Sequence, residues 1–295
     1  MQVQPLSYSS SLEKTWVFAG CGLIAGLLLF LYWGVLQGLL SDWYNDPDYS
    51  HGFLVPLLSA YFIWERWETL QKEESRPNLF GAVVLGGGLA LLVVGLIGAE
   101  LYVQRFSLIV VLAGLVLLIS GWQYLWLLSL PIGFLIFMIP LPAIVVNTIA
   151  FPLQLFAAKV AAFCLFSLGI PVLREGNLIV LAGTTLEVAE ACSGLRSLLS
   201  LLALGTVYGY FSQDTLWKRW VLVLLSIPIA IVANASRVSG TGLLAHYFGM
   251  EAAEGFYHTF EGWIVFVVAF VLLFVCGVVL QKIGSTRSPR VSLKS

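Results

Sequence analysis

A thiol, a guanidinium and an imidazole stand at three places where polar chain meets an apolar run. Cys192 lies in Val188-Ala-Glu-Ala-Cys-Ser-Gly-Leu-Arg196, Arg237 in Ala-Asn-Ala-Ser-Arg, and His258 in Gly-Phe-Tyr-His. A cysteine attacks as thiolate, and its ordinary pKa of about 8.5 leaves little thiolate at neutral pH. A nearby cation or a helix N-terminus lowers that value, and a helix is expected to begin just after Cys192. An arginine can stabilise the thiolate or a developing oxyanion. A histidine can shuttle a proton to a leaving amine.

Each candidate has a bland alternative. A cysteine in a membrane segment is commonly a small packing residue, as expected of Cys21, Cys164 and Cys276 inside apolar runs. Arg237 could be an interfacial anchor, although Asn234, Ser236, Ser239 and Thr241 make its surroundings unusually polar. Arg196, one helical turn after Cys192, competes with Arg237, and His246 competes with His258. Glu190 flanks the thiol and has no assigned role. A fourth polar stretch, Asp46-Pro-Asp-Tyr-Ser-His-Gly-Phe-Leu-Val-Pro56, reads either as a turn or as a wall of the site carrying Tyr49 or His51. No His-Glu-x-x-His or Cys-x-x-Cys spacing is present, so no metal and no cofactor is expected.

The elements that must position these groups are membrane helices. The chain of 295 residues is 59% hydrophobic and 11% charged, with a mean hydropathy of +0.93. Soluble domains carry about 25% charged residues. The fold class is therefore all-α, a polytopic membrane bundle in one integral domain, 1–295. A net charge of −1 gives no basic surface for nucleic acid. The first apolar run continues too far for a cleavable signal peptide.

Spans are expected at about 16–37, 53–64, 79–99, 106–120, 124–139, 195–211, 220–233 and 263–280. Gly81, Gly88 and Gly95 mark one face of the third run for close helix packing. The segment 143–169, with Pro152 and Lys159, reads either as a ninth span or as interfacial or re-entrant. Charge favours eight spans with both termini cytoplasmic, because ten of the fifteen Lys and Arg residues then fall inside. That arrangement places Cys192, Arg237 and His258 at the outer ends of three helices, after a short outer polar segment.

The chain resembles the exosortase/archaeosortase family of membrane cysteine transpeptidases. The resemblance lies in Asp48-Tyr-Ser-His-Gly-Phe-Leu-Val-Pro56, Ala191-Cys-Ser-Gly-Leu-Arg196, Ala233-Asn-Ala-Ser-Arg-Val238 and His258, together with Gly169-Ile-Pro-Val172 and Glu175-Gly-Asn177. It covers roughly residues 40–280. It implies a Cys192, Arg237, His258 triad on the outer face of the cytoplasmic membrane. It implies as partners exported proteins with a C-terminal Pro-Glu-Pro-type sorting signal, and a lipid or polysaccharide acceptor.

Two other classes remain open on the residues alone. A transporter or assembly component would need ionisable groups inside the spans, which carry almost none. An enzyme acting on lipid-linked polysaccharide would need outer carboxylates, for which Glu187, Glu190 and Glu261 are candidates.

Overall fold

The computed structural model describes residues 11–182, 184–188 and 194–283; the side chains of 11–18, 21 and 250–262 lie outside the description. The chain forms two compact units, residues 1–140 and 141–295. Among the described residues, six helices are long and apolar enough to cross a membrane: Gly22–Asn45, Phe80–Ile97, Leu101–Ile119, Ala143–Ser167, Leu216–Phe248 and Trp263–Lys282. The polytopic helical class holds, and the count of eight gives way to six by this measure.

In the first unit, α1 (Ser11–Asn45) leads through a 3-10 turn (Pro47–Phe53) into α2 (Leu54–Glu65) and α3 (Trp67–Lys72). The 12-residue α2 is too short to cross alone, which removes 53–64 from the single-helix spans. Next, α4 (Phe80–Ile97) and α5 (Leu101–Ile119) form a tight hairpin. A Cβ added at Gly81 would lie 2.2 Å from the Leu118 nitrogen, and one at Gly88 2.9 Å from the Val111 nitrogen. The glycine face is thus the contact face, as the sequence pattern indicates.

The expected span 124–139 is broken into α6 (Trp122–Leu127), α7 (Ser129–Phe134) and a 3-10 turn at Leu135–Met138. Pro131 cannot donate to the Leu127 carbonyl four residues earlier. The Arg66 guanidinium donates to that carbonyl instead. The hydroxyl of Ser59 donates to the Pro131 carbonyl at 2.8 Å. Side chains from α2 and its C-terminal cap thus satisfy the carbonyls that a broken helix leaves open.

In the second unit, α8 (Ala143–Ser167) is one continuous helix despite Pro152. Its 25 residues span about 37 Å, so the segment expected as interfacial or re-entrant has the length and composition of a crossing helix. The polar segment that follows is a small antiparallel sheet, β1 (Val172–Glu175), β2 (Leu178–Leu181) and β3 (Thr184–Glu187), in the order β1-β2-β3. Arg174 pairs with Ile179 across a two-residue turn at Gly176-Asn177, where Gly176 takes φ +66°.

Ile179, Leu181 and Leu186 are buried against Ala158, Ala161 and Leu165 of α8 and against Val238. Three long helices complete the unit: α9 (Leu195–Ser212), α10 (Leu216–Phe248) and α11 (Met250–Lys282). Their apolar core includes Leu201, Leu222, Ala233, Ala269 and Leu273.

Candidate active site

Helix α10 does not end after Ala233, as the sequence suggests, but continues unbroken to Phe248. Arg237 therefore stands within a helix rather than in a loop after one. The distance from Leu216 to Arg237 along the axis is about 31 Å, close to the thickness of the hydrocarbon core. Lys218 and Arg219 mark one end of that interval, and Arg237 the other.

The hydroxyls around Arg237 are satisfied along their own helix. Ser236 donates to the Val232 carbonyl at 2.9 Å, Ser239 to Ala235 at 2.8 Å and Thr241 to Arg237 at 3.1 Å. Each is a bond to the carbonyl four residues back, which lets a polar residue sit in an apolar helix at little cost. The polar look of Asn-Ala-Ser-Arg-Val-Ser-Gly-Thr thus resolves into local bonds and two longer side chains. Asn234 is 4% exposed, and the Arg237 side chain is half-buried.

Opposite Asn234 lies the start of α9. Gly194 takes a left-handed conformation, φ +80°, and its carbonyl accepts the Leu198 N–H at 2.9 Å, so it caps the helix. A Cβ at Gly194 would lie 2.6 Å from Cγ and 2.8 Å from Cβ of Asn234. Helices α9 and α10 run antiparallel: Gly209 faces Arg219, Gly205 faces Val223 and Ser226, and Gly194 faces Asn234. Small residues on α9 set this close approach.

The chain entering that contact is anchored at its other end. The Val188 N–H donates to the Asn177 carbonyl at 3.0 Å, and the Asn177 amide donates back to the Val188 carbonyl at 3.3 Å. Val188 is 1% exposed and belongs to the core that joins the sheet to α8 and α10. Cys192, with Glu190, lies in 189–193, outside the described residues. Helix α9 starts at Leu195, as expected for a helix beginning just past the thiol.

His258 lies within α11, nine residues past the Gly249 hinge that joins it to α10, and its side chain is outside the described residues. Helix α11 begins at Met250 and carries His258 five residues ahead of the apolar stretch Trp263–Lys282. The two rivals are also placed. Arg196 is exposed in the first turn of α9. His246 sits half-buried in the last turn of α10, its ring edge-on to Tyr247 at 4.9 Å.

The polar stretch 46–56 belongs to the other unit and is bound into it. His51 donates from Nε2 to the Phe137 carbonyl at 3.1 Å, and Trp43 donates to the Met138 carbonyl at 2.8 Å. Burial pushes the His51 pKa below its usual value, against the opposing pull of the Phe137 carbonyl and Asp48. Tyr49 is buried. Among the described residues no three His, Cys, Asp or Glu side chains gather as a bound metal would need.

The Gly194–Asn234 contact is the part of this region that residue types alone do not reveal. A glycine two residues after a candidate nucleophile was its one visible trace. Comparison with curated proteins and with solved structures gives no match. The transmembrane exosortase family matches residues 43–275, well over half of the chain and parts of both units. The chain belongs to the transmembrane exosortase family.

Proposed function

We propose that this protein is a membrane cysteine peptidase and transpeptidase that cleaves exported proteins at a C-terminal Pro-Glu-Pro-type sorting signal. One observation carries the reading beyond family membership: Gly194 seated on Asn234, three residues before Arg237. In sequence, Cys192 lies two residues before Gly194. Along the α10–α11 hairpin, Arg237 stands twelve residues before Gly249 and His258 nine after it. Their levels then differ by about 5 Å.

In the proposed reaction the Cys192 thiolate attacks the carbonyl carbon of the scissile peptide. The carbonyl π electrons move to oxygen, and the Arg237 guanidinium stabilises the oxyanion. Collapse of the tetrahedral intermediate breaks the C–N bond, and His258 delivers a proton to the departing amine. The protein is left as a thioester on Cys192. An acceptor amine, hydroxyl or water then attacks, releasing the thiolate. The substrate's apolar tail packs against the spans while its motif reaches the outer face of the cytoplasmic membrane. Where the attacking group is not water, the acceptor is a lipid or polysaccharide.

The test is a reporter protein with a tail of Pro-Glu-Pro motif, apolar helix and basic residues, expressed with the full chain. Cleavage is expected with the wild type and absent with Cys192→Ala, and brief hydroxylamine treatment should release reporter from an adduct on Cys192. Normal processing by Cys192→Ala refutes the proposal. Labelling of Cys192 in intact cells by a membrane-impermeant maleimide reads the face on which the site opens; protection in cells with labelling only after lysis refutes the outer placement.

A further inference from the structure

We propose that the free edge of β1 takes the substrate's Pro-Glu-Pro segment as a fourth antiparallel strand, with the motif's glutamate set opposite Arg174. The inference deepens the peptidase reading and rests on it. Strand β1 is one edge of the sheet, whose order is β1-β2-β3. A two-residue hairpin turn closes on a hydrogen-bonded pair, here Glu175 with Leu178, and such pairs alternate along an antiparallel ladder. Leu173 is then the next residue of β1 to bond β2, through Val180. The N–H and C=O groups of Val172 and Arg174 point the other way. Among the described residues no backbone group bonds to them. That side of the strand is open, with Leu173 58% exposed and Arg174 and Glu175 also exposed. An extended peptide adds to such an edge through main-chain bonds, and the neighbouring side chains give specificity.

The motif's composition fits this edge. In an added strand only every second residue turns its N–H and C=O toward β1. With the glutamate paired to Arg174, both prolines fall on positions that face away, where a missing N–H costs no bond. The glutamate side chain then stands on the same face as that of Arg174, directly across the strands. The Arg174 guanidinium donates from Nη1 to the Gly176 carbonyl at 2.8 Å and has further N–H donors for a carboxylate. The other edge, β3, fits worse. It lies against α10, and by the same alternation its outward backbone belongs to Thr185 and Glu187. A carboxylate there would repel the motif's glutamate.

The experiment compares the full chain in membranes, wild type and Arg174→Glu, on reporters whose tails carry Pro-Glu-Pro or Pro-Lys-Pro. Arg174→Glu should raise KM for the Pro-Glu-Pro tail about 5- to 10-fold with kcat little changed, and should lower KM for the Pro-Lys-Pro tail. Changes in KM that are the same for both tails overturn the assignment. Prolines in the reporter read the backbone. A proline directly after the motif removes the N–H that would bond the Val172 carbonyl, so KM should rise about 5-fold. A proline one residue later faces away and should leave KM unchanged. Equal effects at the two positions overturn the added strand.

Photo-crosslinking in the Cys192→Ala chain reads docking apart from chemistry. Leu173→benzoylphenylalanine should capture the Pro-Glu-Pro reporter, and Thr185→benzoylphenylalanine on the β3 edge should not. No capture from Leu173, or equal capture from Thr185, overturns the proposal. If Arg174→Glu does not accumulate, Arg174→Gln is held to the same comparison of tails. Should Cys192→Ala still process the reporter, the peptidase reading falls, whereas capture from Leu173 still reports whether β1 holds the motif.

Discussion

Two arginines, one in each unit, show two uses of a charge in an apolar chain. The Arg105 side chain on α5 is 4% exposed and binds Asp42 of α1 at 2.7 Å. Around it, Tyr32 and Ser107 share a hydrogen bond of 2.9 Å, and Gln104 donates to the Gly95 carbonyl at 2.9 Å. These groups hold α1, α4 and α5 together. Arg237 on α10 is half-buried, in a helix whose hydroxyls bond to their own backbone and whose amide touches the start of α9. The first cation is enclosed by a carboxylate that fixes helices. The second stands where chain of another chemistry arrives. The contrast teaches that a charge near a membrane boundary is judged by what its neighbours are already bonded to.

Breaking the contrast at its sharpest point means exchanging the second arginine. Arg237→Lys keeps the charge but loses the planar fork, so reporter cleavage should fall about 100-fold or more while the protein accumulates normally. Cleavage within a few-fold of wild type would reduce Arg237 to an anchor like many others. The reciprocal change, Arg105→Met, should act on stability. It leaves Asp42 without its cation, and since the Asp42 side chain is 37% exposed the loss should be on the order of 1–3 kcal/mol. Unfolding in detergent measures it, and kcat per folded molecule should stay near wild type.

His51 sharpens the picture of the first unit through pH. Its pKa is lowered in the folded chain, chiefly by burial, so the unfolded chain binds a proton first as pH falls. Stability from the neutral ring is complete above about pH 6.5 and declines as pH drops from there toward the lowered folded value. His51→Gln should flatten the fall of melting temperature below about pH 6.5. An unchanged slope would show that another group titrates. The smallest effect belongs to Arg76→Ala. Its pair with Glu74 is 71% and 80% exposed, and its removal should leave melting temperature unchanged within error.

Much of this was legible before the fold. The Gly81, Gly88, Gly95 spacing marks the α4–α5 contact because helix faces repeat locally, every 3.6 residues. The Gly-Asn pair at 176–177 carries a turn signal, yet the surrounding segment reads as polar chain rather than as a sheet, its strands being four residues each. The run 124–139 reads as a span because average hydropathy hardly registers one proline. Pro131 breaks it, and Arg66 makes the break tolerable from a distance of 61 residues. The polar stretch after Ala233 reads as a helix end, because hydroxyls that bond backward along a helix look the same in sequence as hydroxyls of a loop.

By itself the sequence determined the membrane class, most of the helices, the family and the three groups proposed to react. These follow from local composition, from periodicity and from short motifs, all read within a few turns of chain. Only the tertiary structure decided that α10 runs on past Arg237, that a small sheet anchors Val188, and that Gly194 rests on Asn234. Those facts depend on the register between α9 and α10, elements joined by three residues but matched by shape along their whole length. Register is a property of two packed surfaces, and neither surface carries it alone.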